Sequence, residues 1–186
     1  MVKFTLNDKE LEVEEGKTIL EAALDAGVKI PTLCYHKELT AYGACRVCLV
    51  EIVGGGRPSV PASCLYKVTE GLEVKTDTER VQAARKIVLE LLLSRCPQSE
   101  VLTELAAEYD ITETRIRREQ TENCLLCGLC VRVCAQVTGR HAVSFSDRGA
   151  RRKVRTPFDK VSEKCIGCGA CAYLCPTATI KIEEAG

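Results

Sequence analysis

Eight cysteines between Cys124 and Cys175 fall into two copies of one spacing, C-x2-C-x2-C-x3-C, and Pro176 follows the second copy. This spacing is typical of bacterial proteins that hold two 4Fe-4S clusters, in which the fourth cysteine of each run binds the cluster of the other run. The sequence therefore predicts two interlocked sites. Cys124, Cys127, Cys130 and Cys175 would form the first site, and Cys165, Cys168, Cys171 and Cys134 the second.

Structural zinc is the alternative occupant of closely spaced cysteines, and it usually takes two separated C-x2-C pairs. Here four cysteines lie in one short run and the run is repeated, which favours 4Fe-4S clusters. Ala135 stands where a proline often follows the fourth cysteine of such a run. This departure removes no ligand.

A further group of four cysteines precedes these runs, with the spacing C-x10-C-x2-C-x15-C. Plant-type 2Fe-2S proteins use C-x4-C-x2-C and a distant fourth cysteine, so the close inner pair is shared and the first gap is longer here. The spacing favours a 2Fe-2S cluster over zinc. The four residues are Cys34, Cys45, Cys48 and Cys64.

The segment around this group has the pattern of a small mixed α/β domain. Apolar and polar residues alternate over residues 2–6 and 11–13, which predicts two strands that meet at an Asn7-Asp8 turn. Thr18 to Glu21 form a capping box, which predicts a helix that ends at Gly27. Two more strands, Leu49 to Val53 and Leu72 to Val74, with a Gly54-Gly55-Gly56 turn, would complete a second hairpin.

Three stretches of this segment, PTLCYHKEL, YGACRVCLVEI and PASC, closely resemble the N-terminal 2Fe-2S domain of the large iron-sulfur subunit of complex I and of NADH-linked iron hydrogenases. The resemblance covers the whole segment and implies a β-grasp ferredoxin fold. It also implies that Cys34, Cys45, Cys48 and Cys64 bind a 2Fe-2S cluster.

Two helices are predicted after this segment. Thr76 to Glu79 form a second capping box, and Pro97 prevents the first helix from continuing. A second helix is predicted from Ser99 to Tyr109, followed by a short helix or linker over residues 110–122. The first helix would bury Val81, Ala84, Ile87, Val88, Leu91 and Leu92, and the second Val101, Leu102, Leu105 and Ala106.

Cys96 lies where the sequence departs from the family that it resembles. In that family the matching LLLSxHP stretch supplies a histidine, and cysteines soon after it complete a site of one histidine and three cysteines for a further 4Fe-4S cluster. Here Cys96 takes the place of the histidine, and no cysteine follows until Cys124. Because one ligand cannot hold a cluster, we expect this site to be lost. A buried structural role for Cys96 is favoured over a reactive or redox role.

Short strands are predicted around the cysteine runs, at Ala142 to Phe145, Pro157 to Val161 and Thr179 to Ile182. The stretch from Arg148 to Arg155 contains five basic residues. We expect it to be a solvated hairpin, with the docking of an acidic partner as the alternative.

These features predict an α+β chain of three parts. The N-terminal part is a β-grasp 2Fe-2S ferredoxin-like domain, and the middle part is a helical connector with a degenerate form of the histidine-and-cysteine cluster site. The C-terminal part is a bacterial 2x4Fe-4S ferredoxin domain. The expected bounds are residues 1–78, 79–122 and 123–186.

Charge and hydropathy disfavour other classes of protein. Basic and acidic side chains number 26 each, so the formal net charge of zero gives no support for a nucleic-acid or membrane-surface protein. The longest apolar stretch, Ile87 to Leu93, is short and broken by Glu90, so we expect no membrane insertion. The first residues hold no export signal, which predicts a cytoplasmic, reducing location.

No motif for chemistry on a carbon substrate is found. Gly54-Gly55-Gly56 lacks the G-x-G-x-x-G spacing of dinucleotide binding, and neither a Walker motif nor a nucleophile-base pair is present. His36 lies two residues after Cys34, but four cysteines already complete that site, so we expect no ligand role for it or for His141.

The chain is therefore expected to be an electron-transfer subunit with one 2Fe-2S cluster, two 4Fe-4S clusters and no catalytic site of its own. The resemblance implies that it relays electrons between a flavin-containing NAD(P)H-oxidising subunit and a separate catalytic subunit, such as a hydrogenase, formate dehydrogenase or similar reductase. The alternatives are a free-standing multi-cluster ferredoxin carrier and a redox sensor that reports through Cys96. The balanced charge and the missing DNA-binding motif count against the sensor.

Overall fold

The computed structural model describes residues 1–53, 58–116 and 123–182, and it is a mixed structure of helices and strands, as the sequence predicts. Its N-terminal part holds the strands β1 (Val2–Leu6), β2 (Lys9–Val13), β3 (Glu51–Val53) and β4 (Leu72–Lys75). They form one sheet in the order β2-β1-β4-β3. The central strands β1 and β4 are parallel, and both outer pairs are antiparallel. This is the β-grasp arrangement that the resemblance implies.

The hairpin of β1 and β2 forms as predicted. Phe4 and Leu6 share the buried face of β1 and are 2% and 1% exposed, because side chains two residues apart lie on the same side of a strand. Asn7 and Asp8 form the turn with φ of 49° and 69°. These are the left-handed values that a two-residue hairpin turn requires, and asparagine and aspartate tolerate them well.

Helix α1 (Ile19–Asp25) packs against this sheet. Its predicted capping box is present: the Thr18 hydroxyl accepts the Glu21 N–H at 3.3 Å, and the Glu21 carboxylate accepts the Thr18 N–H at 2.8 Å. Gly27, with φ of 71°, lies just beyond the helix end, as predicted. The helix and the sheet share one apolar core, which includes Phe4, Leu6, Ile19, Leu20, Val50 and Val74.

The second predicted hairpin differs from the structure. β3 begins only at Glu51, and Leu49 pairs with Ala62 in an isolated bridge outside the strand. β4 pairs with β3 and also with β1, so it is a central strand and not the edge of a separate hairpin. The predicted Gly54-Gly55-Gly56 turn lies outside the described residues.

Helix α2 (Glu79–Arg95) has its N-cap two residues later than the sequence predicts, at Thr78 and not at Thr76. Its N-cap is Thr78, whose hydroxyl accepts the Val81 N–H at 3.2 Å. The predicted cap, Thr76, is engaged elsewhere, since its N–H and its hydroxyl bond the Asn7 side chain at 2.9 Å and 2.7 Å. The helix ends at Arg95, ahead of Pro97, as predicted.

The predicted inward face of α2 is wrong at Ile87 and Leu91, which are 53% and 50% exposed. Arg85 is buried instead, at 4% exposure. Its guanidinium donates to the Leu49 carbonyl at 2.6 Å and to the Tyr109 hydroxyl at 3.0 Å. The buried residues of the helix are Val81, Arg85, Leu89, Glu90, Leu93, Ser94 and Arg95.

The second connector helix, α3 (Glu100–Ala107), follows with Ser99 at its N-cap. Leu102 and Ala106 are buried as predicted, but Val101 is 38% exposed and the prediction is wrong there. Residues 111–116 form neither helix nor strand, and residues 117–122 lie outside the described part of the chain.

The C-terminal part contains two helices within the cysteine runs, α4 (Leu129–Gln136) and α5 (Ala170–Tyr173). Between them the strands β5 (Ser144–Ser146) and β6 (Lys153–Arg155) form an antiparallel hairpin, which confirms the hairpin predicted for the basic stretch. The strand predicted at Pro157 to Val161 is wrong, since Pro157–Asp159 is a 3-10 turn. Thr179 to Ile182 likewise form no strand. The partner of β5 is β6 and not the segment that begins at Pro157. Proline lacks the N–H that strand pairing needs.

A second core joins the three parts of the chain. It combines apolar residues from the loop that carries Cys34 and Cys45, from α2 and α3, and from the first cysteine run. Among its members are Leu33, Val47, Leu89, Leu102, Leu125 and Val133. In the described ranges there is no helix of the length and apolar character that crossing a membrane requires.

Candidate iron-sulfur centres

The first group of cysteines is buried between the sheet and the connector. The exposed fractions of Cys34, Cys45, Cys48 and Cys64 are 1%, 4%, 1% and 1%. Their thiols come together in two hydrogen-bonded pairs, Cys34 with Cys45 and Cys48 with Cys64. Two pairs are what a 2Fe-2S cluster needs, because each of its two irons takes two protein ligands.

Hydrogen bonding within each pair favours one thiolate. The bond from Cys45 lowers the pKa of Cys34 to about 6, and the bond from Cys64 lowers the pKa of Cys48 to about 6. The same bonds, together with burial, raise the pKa of Cys45 and of Cys64 above the usual thiol range. Since metal ligands must be deprotonated, the second thiolate of each pair needs a cation beside it, which iron would supply.

The first predicted 4Fe-4S set lines one cavity of about 440 Å³. Burial raises the pKa of Cys127 to about 11 and that of Cys130 to about 12, so this cavity also favours thiolates only when a cation is present. Backbone N–H groups donate to two of the sulfurs, from Leu126 to Cys124 at 3.4 Å and from Thr179 to Cys175 at 3.3 Å. The structure thus places Cys175, from the second run, beside Cys124, Cys127 and Cys130.

The second predicted set lines a separate cavity of about 350 Å³. Cys134, from the first run, lies there with its sulfur accepting the Ala142 N–H at 3.2 Å. Cys165 and Cys168 are exposed, in contrast to the buried thiols of the first group. The set brought together is Cys134, Cys165, Cys168 and Cys171.

The arrangement of the thiols differs from that of a single-ion site. Among the described residues, no three side chains of cysteine, histidine, aspartate or glutamate gather as one metal ion would require. A structural zinc ion needs four ligands around one point. The thiols lie as two pairs and as the linings of two cavities. The ligand assignment itself stays a prediction.

That neither histidine is a ligand stays a prediction. The Nδ1 atom of His36 accepts the Glu38 N–H at 3.3 Å, and His141 is exposed in a left-handed conformation with φ of 51°.

The 2Fe-2S group and the first 4Fe-4S cavity are neighbours. Cys34, Cys45 and Cys127 belong to the same buried core. Helix α4 makes the junction: its Gln136 accepts the Thr40 N–H at 2.9 Å, and Arg132 donates to the carbonyl of Cys34 at 2.6 Å. Sequence patterns carry no signal for these contacts, because they join residues almost a hundred positions apart.

Aromatic residues form the outer part of the same junction. The rings of Tyr42 and Phe145 stack with centroids 6.1 Å apart, and the Arg152 guanidinium lies 3.9 Å from the Phe145 centroid. Arg152 also donates to the Tyr42 hydroxyl at 2.9 Å. The basic hairpin is therefore not merely solvated, since one of its arginines joins two parts of the chain.

Gly128 lies against the rings of Phe145 and Tyr42, and its replacement gives a testable prediction. It has φ of 72°, and an added Cβ would lie 3.1 Å from the Phe145 ring and 3.4 Å from the Tyr42 ring. Gly128→Ala is expected to lower the free energy of unfolding by about 2–4 kcal/mol, from the left-handed backbone and from overpacking.

Gly139→Ala is the matched control for this variant. Gly139 has φ of 65° but open space around the added Cβ, so its cost should be only about 1–2 kcal/mol. Anaerobic denaturation of both variants with wild-type protein measures the difference. Equal costs would show that the rings do not pack against Gly128 in solution.

Cys96 lies at the C-terminal end of α2 with none of its surface exposed. It belongs to the core that joins the three parts of the chain, which supports the structural role and leaves an oxidant no access to the thiol.

Cys96→Ala is expected to leave all three clusters in place. Iron analysis after anaerobic purification should give about ten iron atoms per chain, as for the wild type. Cys96→Ser is the companion variant that keeps a polar group at this position. The loss of any cluster signal from both variants would make Cys96 a ligand.

Comparison with known proteins agrees with this geometry. A family model described as a 2Fe-2S iron-sulfur cluster binding domain matches residues 1–79, and one described as a 4Fe-4S dicluster domain matches residues 123–179. A chain in the crystal structure of NAD+-reducing NiFe hydrogenase in the H2-reduced state superposes with a TM-score of 0.86. It is 28% identical, and the match covers 100% of this chain and 88% of that chain.

Larger proteins match as well. A G subunit of NADH-quinone oxidoreductase from Rhizobium meliloti is 31% identical over 97% of this chain and 24% of its own length. The alpha subunit of NADPH-Fe(3+) oxidoreductase from Geobacter sulfurreducens is 31% identical, with the same coverage of 97% and 24%. The chain thus spans about a quarter of the length of these relatives. The chain joins a 2Fe-2S iron-sulfur cluster binding domain to a 4Fe-4S dicluster domain, binds one 2Fe-2S and two 4Fe-4S clusters, and is similar to part of the G subunits of NADH-quinone oxidoreductases.

Proposed function

We propose that this chain is an electron-transfer subunit between a flavin-containing NAD(P)H-oxidising subunit and a separate catalytic subunit of an oxidoreductase. The observation that carries the proposal is the shared core of the 2Fe-2S group and the first 4Fe-4S cavity, through Cys34, Cys45 and Cys127. When bound, the three clusters accept and donate single electrons. The protein holds their ligands, excludes water from the buried sulfurs and sets the order of the sites.

Twelve cysteines are the proposed ligands. The pairs Cys34 with Cys45 and Cys48 with Cys64 would each hold one iron of the 2Fe-2S cluster. Each 4Fe-4S cluster would take the four thiols that line its cavity, one from the other run in each case. The ligand sets are Cys124, Cys127, Cys130 and Cys175 for one cluster and Cys134, Cys165, Cys168 and Cys171 for the other.

The two ends of the proposed relay differ in how exposed their cysteine thiols are. The thiols of the first group are buried, but Ala44 and Arg46 beside them are exposed, so a partner can approach this loop closely. We assign this end to the NAD(P)H-oxidising subunit. The names of the relatives place a nicotinamide nucleotide among the reactants of their enzymes, which supports such a partner without indicating which end it meets.

The other end is the second 4Fe-4S cavity, where Cys165 and Cys168 are exposed. Large apolar side chains close to these cysteines in the chain are exposed as well: Phe158 is 95%, Val161 90% and Tyr173 89% exposed. A folded monomer gains nothing from apolar side chains in water, whereas a partner subunit would bury them. We assign this end to the catalytic subunit.

Purification from the native source tests the proposal. A stable complex that contains a flavoprotein and a second oxidoreductase subunit is the expected result. Isolation of the chain as a lone monomer, with all three clusters present, would contradict it and favour the free-standing carrier. Electron paramagnetic resonance of the reduced protein shows whether the clusters are present in either case.

A further inference from the structure

Arg132 is a buried cation at the junction of the 2Fe-2S group and the first 4Fe-4S cavity. It lies on α4 between Cys130 and Cys134 and is 9% exposed. Its two terminal nitrogens donate to the carbonyls of Thr40 and Cys34, each at 2.6 Å. Its guanidinium also lies 5.7 Å from the centroid of the Tyr42 ring. One side chain thus connects the helix of the 4Fe-4S domain to the loop of the 2Fe-2S group.

Protein groups within the described residues do not neutralise the charge of Arg132. No carboxylate there forms an ion pair with it, and its Nε atom is buried without a hydrogen-bond partner. A buried charge is costly unless an opposite charge lies close to it. The two carbonyls supply only partial negative charge.

The bound clusters would provide the missing negative charge. An iron-sulfur cluster with four thiolates carries net negative charge. Cys34, whose carbonyl accepts a hydrogen bond from Arg132 at 2.6 Å, is a proposed ligand of the 2Fe-2S cluster. The guanidinium is therefore placed to stabilise negative charge at that cluster.

We propose that Arg132 is a positioning and tuning residue of the relay: it holds the Cys34 loop against α4, and its buried charge raises the midpoint potential of the 2Fe-2S cluster. This inference rests on the proposed electron-transfer function. Reduction adds one negative charge to the cluster, so a nearby cation stabilises the reduced state more than the oxidised state. In the buried junction this attraction is weakly screened.

The test is a potentiometric titration of the whole protein, loaded with clusters under anaerobic conditions and followed by electron paramagnetic resonance. Arg132→Gln is expected to lower the midpoint potential of the 2Fe-2S signal. Arg132→Lys should give a smaller downward shift, because lysine keeps a charge but lacks the planar fork that reaches two carbonyls. Iron content and far-ultraviolet circular dichroism are measured on the same samples.

Two control variants separate charge from contact. Arg152→Gln removes a positive charge from the outer part of the same junction, where Arg152 bonds Tyr42. Gln136→Ala removes a bond from α4 to Thr40 but no charge. Both are expected to leave the potential of the 2Fe-2S cluster at the wild-type value.

An unchanged potential in Arg132→Gln, or an equal shift in Arg152→Gln, would overturn the inference. If the glutamine variant does not load its clusters, the lysine variant decides: a lowered potential supports the role of Arg132, and the wild-type potential refutes it. Absence of a 2Fe-2S signal from the wild-type protein would instead refute the proposed function. The two failures are therefore distinct.

Discussion

The double variant Cys127→Ala with Cys175→Ala is expected to lose about four of about ten iron atoms per chain, although it removes cysteines from two different runs. The two thiols line the same cavity of about 440 Å³, and a charge on Cys175 acts on the thiol of Cys127. Removing both therefore empties one 4Fe-4S site. The second cavity keeps all four of its thiols.

The matched double variant is Cys127→Ala with Cys134→Ala, which removes two cysteines from the same run. Its thiols line different cavities, so we expect both 4Fe-4S clusters, or about eight iron atoms, to be lost. Iron and sulfide analysis with electron paramagnetic resonance measures both variants. In both, the 2Fe-2S signal serves as an internal control, because its thiols are unchanged.

One result for these two double variants would contradict the interlocked assignment. If each run held its own cluster, the iron losses of the two double variants would be exchanged. The variant with both changes in one run would then lose about four iron atoms, and the other about eight. That result would overturn the interlocked assignment.

Arg85→Ala is expected to lower the free energy of unfolding by about 3 kcal/mol. The change leaves the Leu49 carbonyl and the Tyr109 hydroxyl without their charged donor, in a site where Arg85 is only 4% exposed. For a chain of this size, such a loss lowers the unfolding midpoint by about 6–12 °C. Anaerobic thermal denaturation followed by circular dichroism measures it.

Arg80→Ala is the matched control on the same helix. Arg80 pairs with Glu51 at 3.3 Å, but its side chain is 54% exposed, so its removal should cost at most about 1 kcal/mol. Tyr109→Phe removes only one of the two contacts of Arg85 and should fall between the two arginine variants. A midpoint for Arg85→Ala equal to that of Arg80→Ala would show that the buried contacts do not stabilise the protein.

Local signals predict much of the N-terminal fold. The Asn7-Asp8 turn and the capping box of Thr18 and Glu21 depend on residues close in sequence, and both are present. The parallel pairing of β1 with β4 joins residues almost seventy positions apart, and no local pattern encodes it. The predicted start of α2 is wrong for the same reason, because Asn7 engages Thr76 from across the sheet.

The burial of an arginine side chain explains the error in the predicted inward face of α2. Arginine side chains usually lie at the surface, so the sequence pattern favours a stripe of apolar residues for the inner face of α2. In the structure Arg85 and Arg132 are both buried, since backbone carbonyls lie within reach of their guanidinium groups. Such carbonyls have no signature in the sequence. The cysteine spacing, in contrast, predicts which thiols share each cavity.

The exchange of cysteines between the two runs also has a consequence for the biosynthesis of the protein. Chains leave the ribosome from the N-terminus, and domains begin to fold in that order. All four thiols of the first group are present once Cys64 has emerged, so this group can take up iron early. The cavity of Cys124, Cys127 and Cys130 lacks its fourth thiol until Cys175 has been made. With the ligand sets proposed above, neither 4Fe-4S cluster could therefore be completed until both cysteine runs have been translated.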